Sequence, residues 1–189
     1  MISNKFVSPV KRLEKAIVNH NLGEIEIMFN DISFSEQINL TKNAGPFNLA
    51  CAYGHLDIVK YLLTSPNVKN PPDIGVKNLL GFELACMNNH SKIIQYLTSS
   101  PELKYHVNKD DLEDSHFNLC LKNNKLEVLK HLIFDLNIEK NKNISIYLLQ
   151  TPNEEVEQMF KIRGLHNNIA LDLRDSSVGI SKPPKSNKI

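Results

Sequence analysis

Apolar and polar positions recur along this chain in paired clusters. In the stretch GPFNLACAYGHLDIVKYLL (45–63), Phe47, Leu49, Ala50 and Cys51 form one cluster, and Ile58, Val59, Leu62 and Leu63 form the next. The second cluster falls at i, i+1, i+4 and i+5, one face of a 3.6-residue helix. A helix from about Phe47 to Tyr53 is predicted, followed by another that starts near Leu56. Gly54 ends the first, because the left-handed position after a helix favours glycine. Thr64-Ser65-Pro66 stops the second, since the residue before a proline avoids helical dihedrals.

The block then repeats. LGFELACMNNHSKIIQYLT (80–98) and SHFNLCLKNNKLEVLKHLI (115–133) align with it without a gap. Phe47, Phe82 and Phe117 hold one register, as do Leu49, Leu84 and Leu119, and Leu62, Leu97 and Leu132, at a constant step of 35 residues. Asn89 and Asn124 replace Gly54, and asparagine is the next most tolerant residue in the left-handed region. Two flanking segments fit more loosely. LEKAIVNHNLGEIEIMF (13–29) aligns with Ala16 in the place of Leu49 and Ile25 in the place of Ile58, and ISIYLLQTPNEEVEQMFKI (144–162) has a shorter version of the rhythm. Atypical end units are expected in a stacked array. The pattern predicts five helix pairs between about Pro9 and Arg163.

Composition narrows the class. The chain has 189 residues, 41% of them hydrophobic, and a net charge of +1, which suits one domain or array and disfavours a dedicated nucleic-acid binder. Three scattered cysteines and an N-terminus without an apolar leader imply reduced thiols and a cytoplasmic protein. No run approaches ~18 uninterrupted apolar residues, so no membrane span is expected. Abundant Asn, Ile and Lys suggest AT-rich coding, as in viral, phage or intracellular-bacterial genomes. The repeats are assigned to 1–164. Residues 165–189 read as a tail with two acids against four bases, holding one short helix at 167–175 before Pro183-Pro184 and a disordered end.

The hexapeptide Gly45-Pro46-Phe47-Asn48-Leu49-Ala50 and the following GHLDIVKYLL resemble the ankyrin repeat family, whose first turn reads T-P-L-H-x-A. The units fall at about 44–78, 79–113 and 114–142, with degenerate units on either side. The resemblance implies an all-α solenoid of about five helix-turn-helix units with short hairpin-like fingers. The family's Thr becomes Gly45, Leu80 and Ser115, and its His becomes Asn48, Glu83 and Asn118. Most hydroxyl–imidazole bonds between units are thus lost, and a looser array is expected. Two extra residues per unit, near TSPNVK and TSSPELK, are expected to lengthen the end of the second helix. These TSP units look like those of phage and intracellular-bacterial ankyrin proteins. His55 occupies the family's glycine-histidine turn, which implies packing against the next unit.

Chemistry has little to start from. Nucleophilic catalysis needs a Cys or Ser beside a base and an oxyanion site. Cys51 and Cys86 instead lie one unit apart where the family prefers Ala, with Cys120 at the neighbouring small position. His116 and Cys120 share a helical face, but no second pair completes a zinc set. No phosphate loop, dinucleotide fingerprint or zincin motif occurs, so neither cofactor nor metal is expected. Acidic clusters at 109–114 and 153–157 fit a finger and a helix start. An enzyme using a cysteine or an acidic cluster remains a remote alternative.

The reading that fits best is a non-catalytic module that binds another protein through its concave face and fingers. Its nearest variant is a phage or pathogen effector that inhibits a host enzyme sterically. The resemblance points to Tyr53, Met87, Asn88, Lys122 and Asn123 at the exposed ends of the first helices. It points also to Asp73, Lys77, Lys109, Asp110 and Asp111 on the fingers. Tyr and Met are favoured interface anchors.

Overall fold

A computed structural model describes residues 7–74 and 79–164. Its helices are α1 (Pro9–Val18), α2 (Leu22–Asn30), α3 (Ile32–Gln37), α4 (Gly45–Tyr53), α5 (Leu56–Thr64), α6 (Leu80–Met87), α7 (Ser91–Ser99), α8 (Asp114–Lys122), α9 (Leu126–Phe134) and α10 (Lys142–Gln150). A further helix, α11, covers 154–164. No strand occurs among the described residues. The pairs α1/α2, α4/α5, α6/α7, α8/α9 and α10/α11 make five stacked units, an all-α repeat solenoid. The tail, its expected helix at 167–175 and Lys77 lie outside the described residues.

The first four units turn on the same hydrogen bond. The residue that opens the second helix donates its amide to a carbonyl five residues back. The pairs are Asn21 to Ala16 (2.9 Å), His55 to Ala50 (3.1 Å), His90 to Ala85 (2.9 Å) and Lys125 to Cys120 (2.9 Å). The residue before it carries positive φ in all four turns: His20 (51°), Gly54 (80°), Asn89 (64°) and Asn124 (51°). These bonds correct the register of the first unit by one residue, so that Ala16 corresponds to Ala50 rather than to Leu49.

First helices pack closely on one another, α1 on α4, α4 on α6 and α6 on α8, while second helices stand farther apart. Small residues permit the closeness: Ala16, Ala50, Ala85 and Cys120 are all buried. At Gly81 a Cβ would sit 2.6 Å from Phe47 Cε1 and 3.2 Å from Cys51 Sγ. Unequal spacing bends the two layers, which puts the first helices on the inner side. Phe47, Phe82 and Phe117 lie fully inside, each contributing about 1.5–3 kcal/mol by its burial.

The extra residues do not lengthen the second helix. α5 and α7 stop at Thr64 and Ser99, and a turn follows each, closed by Val68 N to Ser65 O and Leu103 N to Ser100 O (3.1 Å each). The turns bury Val68 and Leu103. The finger after α7 forms a 3-10 turn (Lys109–Asp111) in place of a strand pair.

Loss of the family's first-turn bonds leaves Asn48 Oδ1 and Asn118 Oδ1 buried without a donor. Bonds elsewhere tie the units instead. His90 Nε2 and Asn88 Nδ2 both reach Ala52 O (3.0 Å each). His131 Nε2 meets Thr98 Oγ1 (2.8 Å), Asn67 donates to Asn30 (2.7 Å), and Asn141 and Asn143 both donate to Asp114 (2.7 Å).

Gly81→Ala should lower stability by about 1–3 kcal/mol through overpacking. Gly23→Ala, whose Cβ would meet nothing nearer than 3.9 Å, should be neutral or stabilising by up to about 1 kcal/mol. Urea denaturation of the two variants checks both, and equal midpoints would contradict the close first-helix spacing.

Candidate functional site

Large apolar side chains are exposed on several first helices, and also at Ile27 of α2, Ile32 of α3 and Ile162 of α11. Val18 on α1, Tyr53 on α4, Leu80 and Met87 on α6 and Ile146 on α10 are all large and at least 40% exposed. The second helices of the central units, α5, α7 and α9, expose none of comparable size. Repeat register puts Val18, Ala52, Met87 and Lys122 in one row along the last turn of successive first helices.

Tyr53 is half exposed, its ring stacked on His55 (5.8 Å between centroids). Met87 stands exposed one unit on, and Lys122 after it. Asn88 and Asn123 are exposed but tethered: the Asn88 amide donates to Ala52 O and Leu84 O (3.0 Å each), and the Asn123 amide to Leu119 O (2.7 Å). These residues lie exposed at the ends of α4, α6 and α8, where the two asparagines also serve as helix ends. Val18 and Leu80 belong to the same face and were not anticipated. Val18 sits one unit before Ala52, a relation hidden by the misaligned first unit.

The fingers divide. Asp73 is exposed on a shallow groove of about 150 Å³ shared with Lys104 and Tyr105. Lys109 and Asp110 are exposed at the mouth of a cleft of about 320 Å³ that also takes in Glu113, Asp114 and Glu139. Asp111 is a correction: it is buried, accepting from Asn108 N (2.9 Å) and Tyr105 Oη (3.0 Å). The capping box it forms needs its carboxylate inward, so it is no contact residue.

His55 is a second correction. Its ring lies flat against His20 of the preceding unit (4.0 Å, 4°), and its buried Nε2 has no partner. The following unit is held by His90, whose ring fills the space a Cβ at Gly54 would need (2.5 Å). His20 is fixed by Asp57 (2.9 Å). His116 Nδ1 accepts from Glu113 N (3.0 Å). Its Nε2 lies 3.3 Å from Glu83 Oε1, near enough for charge pairing but not aligned as a hydrogen bond.

The three thiols are free and buried. Burial pushes the Cys51 thiol far up. Contact with the Cys120 thiol, reinforced by burial, does the same to Cys86. Neither resembles an activated nucleophile, which needs a lowered pKa. No group of three or more metal-ligating side chains comes together among the described residues, and no helix there is long and apolar enough to cross a membrane.

Stacked helix pairs whose first helices pack closely on one another define an all-α repeat solenoid. The family model for ankyrin repeats (3 copies) matches residues 47–144, more than half of the chain, and the chain belongs to the ankyrin repeat family. Repeats of this family generally serve as protein–protein interaction modules and are typically non-enzymatic. No curated protein and no solved structure matches the chain.

Burial first, then His20 and His90, hold the His55 pKa below its ordinary value, with Asp57 opposing. The folded protein thus binds this proton less well than the unfolded chain. The stability it contributes is present above about pH 6.5 and is lost as pH falls through that value toward the depressed folded pKa. His55→Phe, which keeps a flat ring, should flatten the decline in denaturation midpoint between about pH 7 and 5. An unchanged slope would exonerate His55. Thiol alkylation should be slow on the native protein and rapid in denaturant; fast native labelling of one cysteine would contradict the burial argument.

Proposed function

We propose that this chain is a non-catalytic protein-interaction module acting sterically in the cytoplasm. One observation carries the reading: in the central units the first helices α4 and α6 expose Tyr53, Leu80 and Met87, whereas the second helices α5, α7 and α9 expose no large apolar side chain. Water-facing layers of a solenoid have no reason to differ in this way unless one of them is covered on binding. Tyr53 and Met87 act as anchors, with Val18 and Leu80 extending the apolar contact. Lys122, Asn88 and Asn123 supply polar contacts at the rim. Asp73, Lys109 and Asp110 orient the partner and set its rate of arrival, and Lys77 is assigned to the same finger role.

A finer reading, in which the partner is a host enzyme inhibited by occlusion, is favoured by the Asn-rich composition and the TSP units. It changes the identity of the partner and leaves the physics the same.

Tyr53→Ala and Met87→Ala should each weaken partner binding by about 1–2 kcal/mol, with helicity unchanged. Gln95→Ala and Lys130→Ala, exposed on the second-helix layer, should leave affinity alone. Titration calorimetry with the captured partner separates the two sets, and equal effects would remove the proposed face.

A further inference from the structure

The array ends on an uncovered side. In the inner units, the position on the first helix that faces the following unit is fully buried: Cys51 and Cys86 at 0% exposure, and Leu121 at 1%. The turn residues Lys125 and Asn153 each open a second helix, which sets Leu149 of α10 in register with Leu121 of α8. Leu149 is 81% exposed. It lines a groove of about 670 Å³ between α10 and α11, together with Ser145, Leu148, Pro152, Gln158 and Lys161. Ser145 stands in register with Phe117, whose ring packs forward on Phe160 of the next unit (5.8 Å). The last pair is therefore shaped to receive another first helix and has a small residue where an aromatic ring would otherwise fill the space.

The sequence beyond 164 holds a segment of that kind. First helices of the central units centre on Asn48-Leu49-Ala50-Cys51, Glu83-Leu84-Ala85-Cys86 and Asn118-Leu119-Cys120-Leu121. Asn168-Ile169-Ala170-Leu171 repeats the pattern, with the small residue in the position that makes close approach possible. Ala170 corresponds to Ala50, Ala85 and Cys120, all fully buried. Gly164 is the last described residue of α11 and borders the adjoining cleft with Lys161. The chain thus leaves α11 beside the groove, and a connection of a few residues suffices to return.

We propose that residues 167–175 dock on the open side of α10 and α11 as an unpaired first helix, with Ala170 against Leu149. The segment closes the C-terminal end of the array from within the same chain. The N-terminal end carries the converse feature. Ile27 stands at the position where Tyr61, Tyr96 and His131 pack backward on the preceding unit, and it is 69% exposed. Two bare ends would favour head-to-tail association of copies, and docking of 167–175 removes one of them.

Hydrogen exchange of the full-length protein, read by mass spectrometry, tests the proposal. Backbone amides of 169–175 should exchange at least roughly tenfold more slowly than in an unstructured chain. Leu149→Asp and Ala170→Arg should each abolish that protection while exchange in α4–α9 stays unchanged. Three results would overturn the proposal: exchange of 169–175 at unstructured rates in the parent protein, protection that survives Leu149→Asp, or protection that appears only as protein concentration rises and the protein sediments as a dimer. The last result would assign the groove to a second copy.

Discussion

Phe47 reaches forward until its ring occupies the space that a side chain at residue 81 would take, and the rest of the array depends on that approach. Close contact between first helices demands small residues at Ala16, Ala50, Ala85 and Cys120. The second helices carry no such demand and stand apart. Curvature follows from the difference: one layer is drawn together and presents an inner face, the other is splayed and, in the central units, exposes no large apolar side chain. The cysteines belong to this constraint as well. Cys51, Cys86 and Cys120 are small apolar spacers, and burial raises the thiols of Cys51 and Cys86 away from reactivity.

Stacking by closeness alone would leave the units free to slide. Register is held by polar contacts placed mainly at helix ends: His90 and Asn88 on the carbonyl of Ala52, His131 on Thr98, and Asp114 between two asparagines. The stacked rings of His20 and His55 serve the same purpose between the first two units. Buried acceptors on Asn48 and Asn118 go without a donor, a cost of about 1–3 kcal/mol each. Of the side chains that replaced the family's first-turn histidine, the two asparagines therefore leave these acceptors unpaired, while Glu83 comes within 3.3 Å of His116 in the next unit. The helix-end contacts tie the units from a different place, so the looser array expected from the missing bonds need not follow.

The helix pairs of the three central units were legible because a constant step of 35 residues fixes many positions at once, and a single register accounts for Phe47, Phe82 and Phe117 together. The first unit was harder. It is one residue shorter from turn to turn, and Ile17 and Ile25 offer apolar matches in either alignment, so periodicity alone could not choose. Only the Asn21-to-Ala16 bond settles it, and with it the place of Val18 on the inner face. Asp111 was misjudged for a different reason. KDDLED reads as a solvated acidic run, and nothing local signals that its third residue turns inward to cap Asn108 and meet Tyr105. Contacts between residues far apart in sequence, such as His20 on His55, leave no periodic trace.

The central claim is that the first-helix layer is the working face. A photo-crosslinking amino acid placed at Met87, and separately at Gln95 on the second-helix layer, tests it in lysate of the cells that make the protein. The account predicts that the probe at 87 captures one protein in stoichiometric yield and that the probe at 95 captures none. Capture from 95 alone would contradict it, because the face in use would then be the layer that exposes no large apolar side chain in the central units.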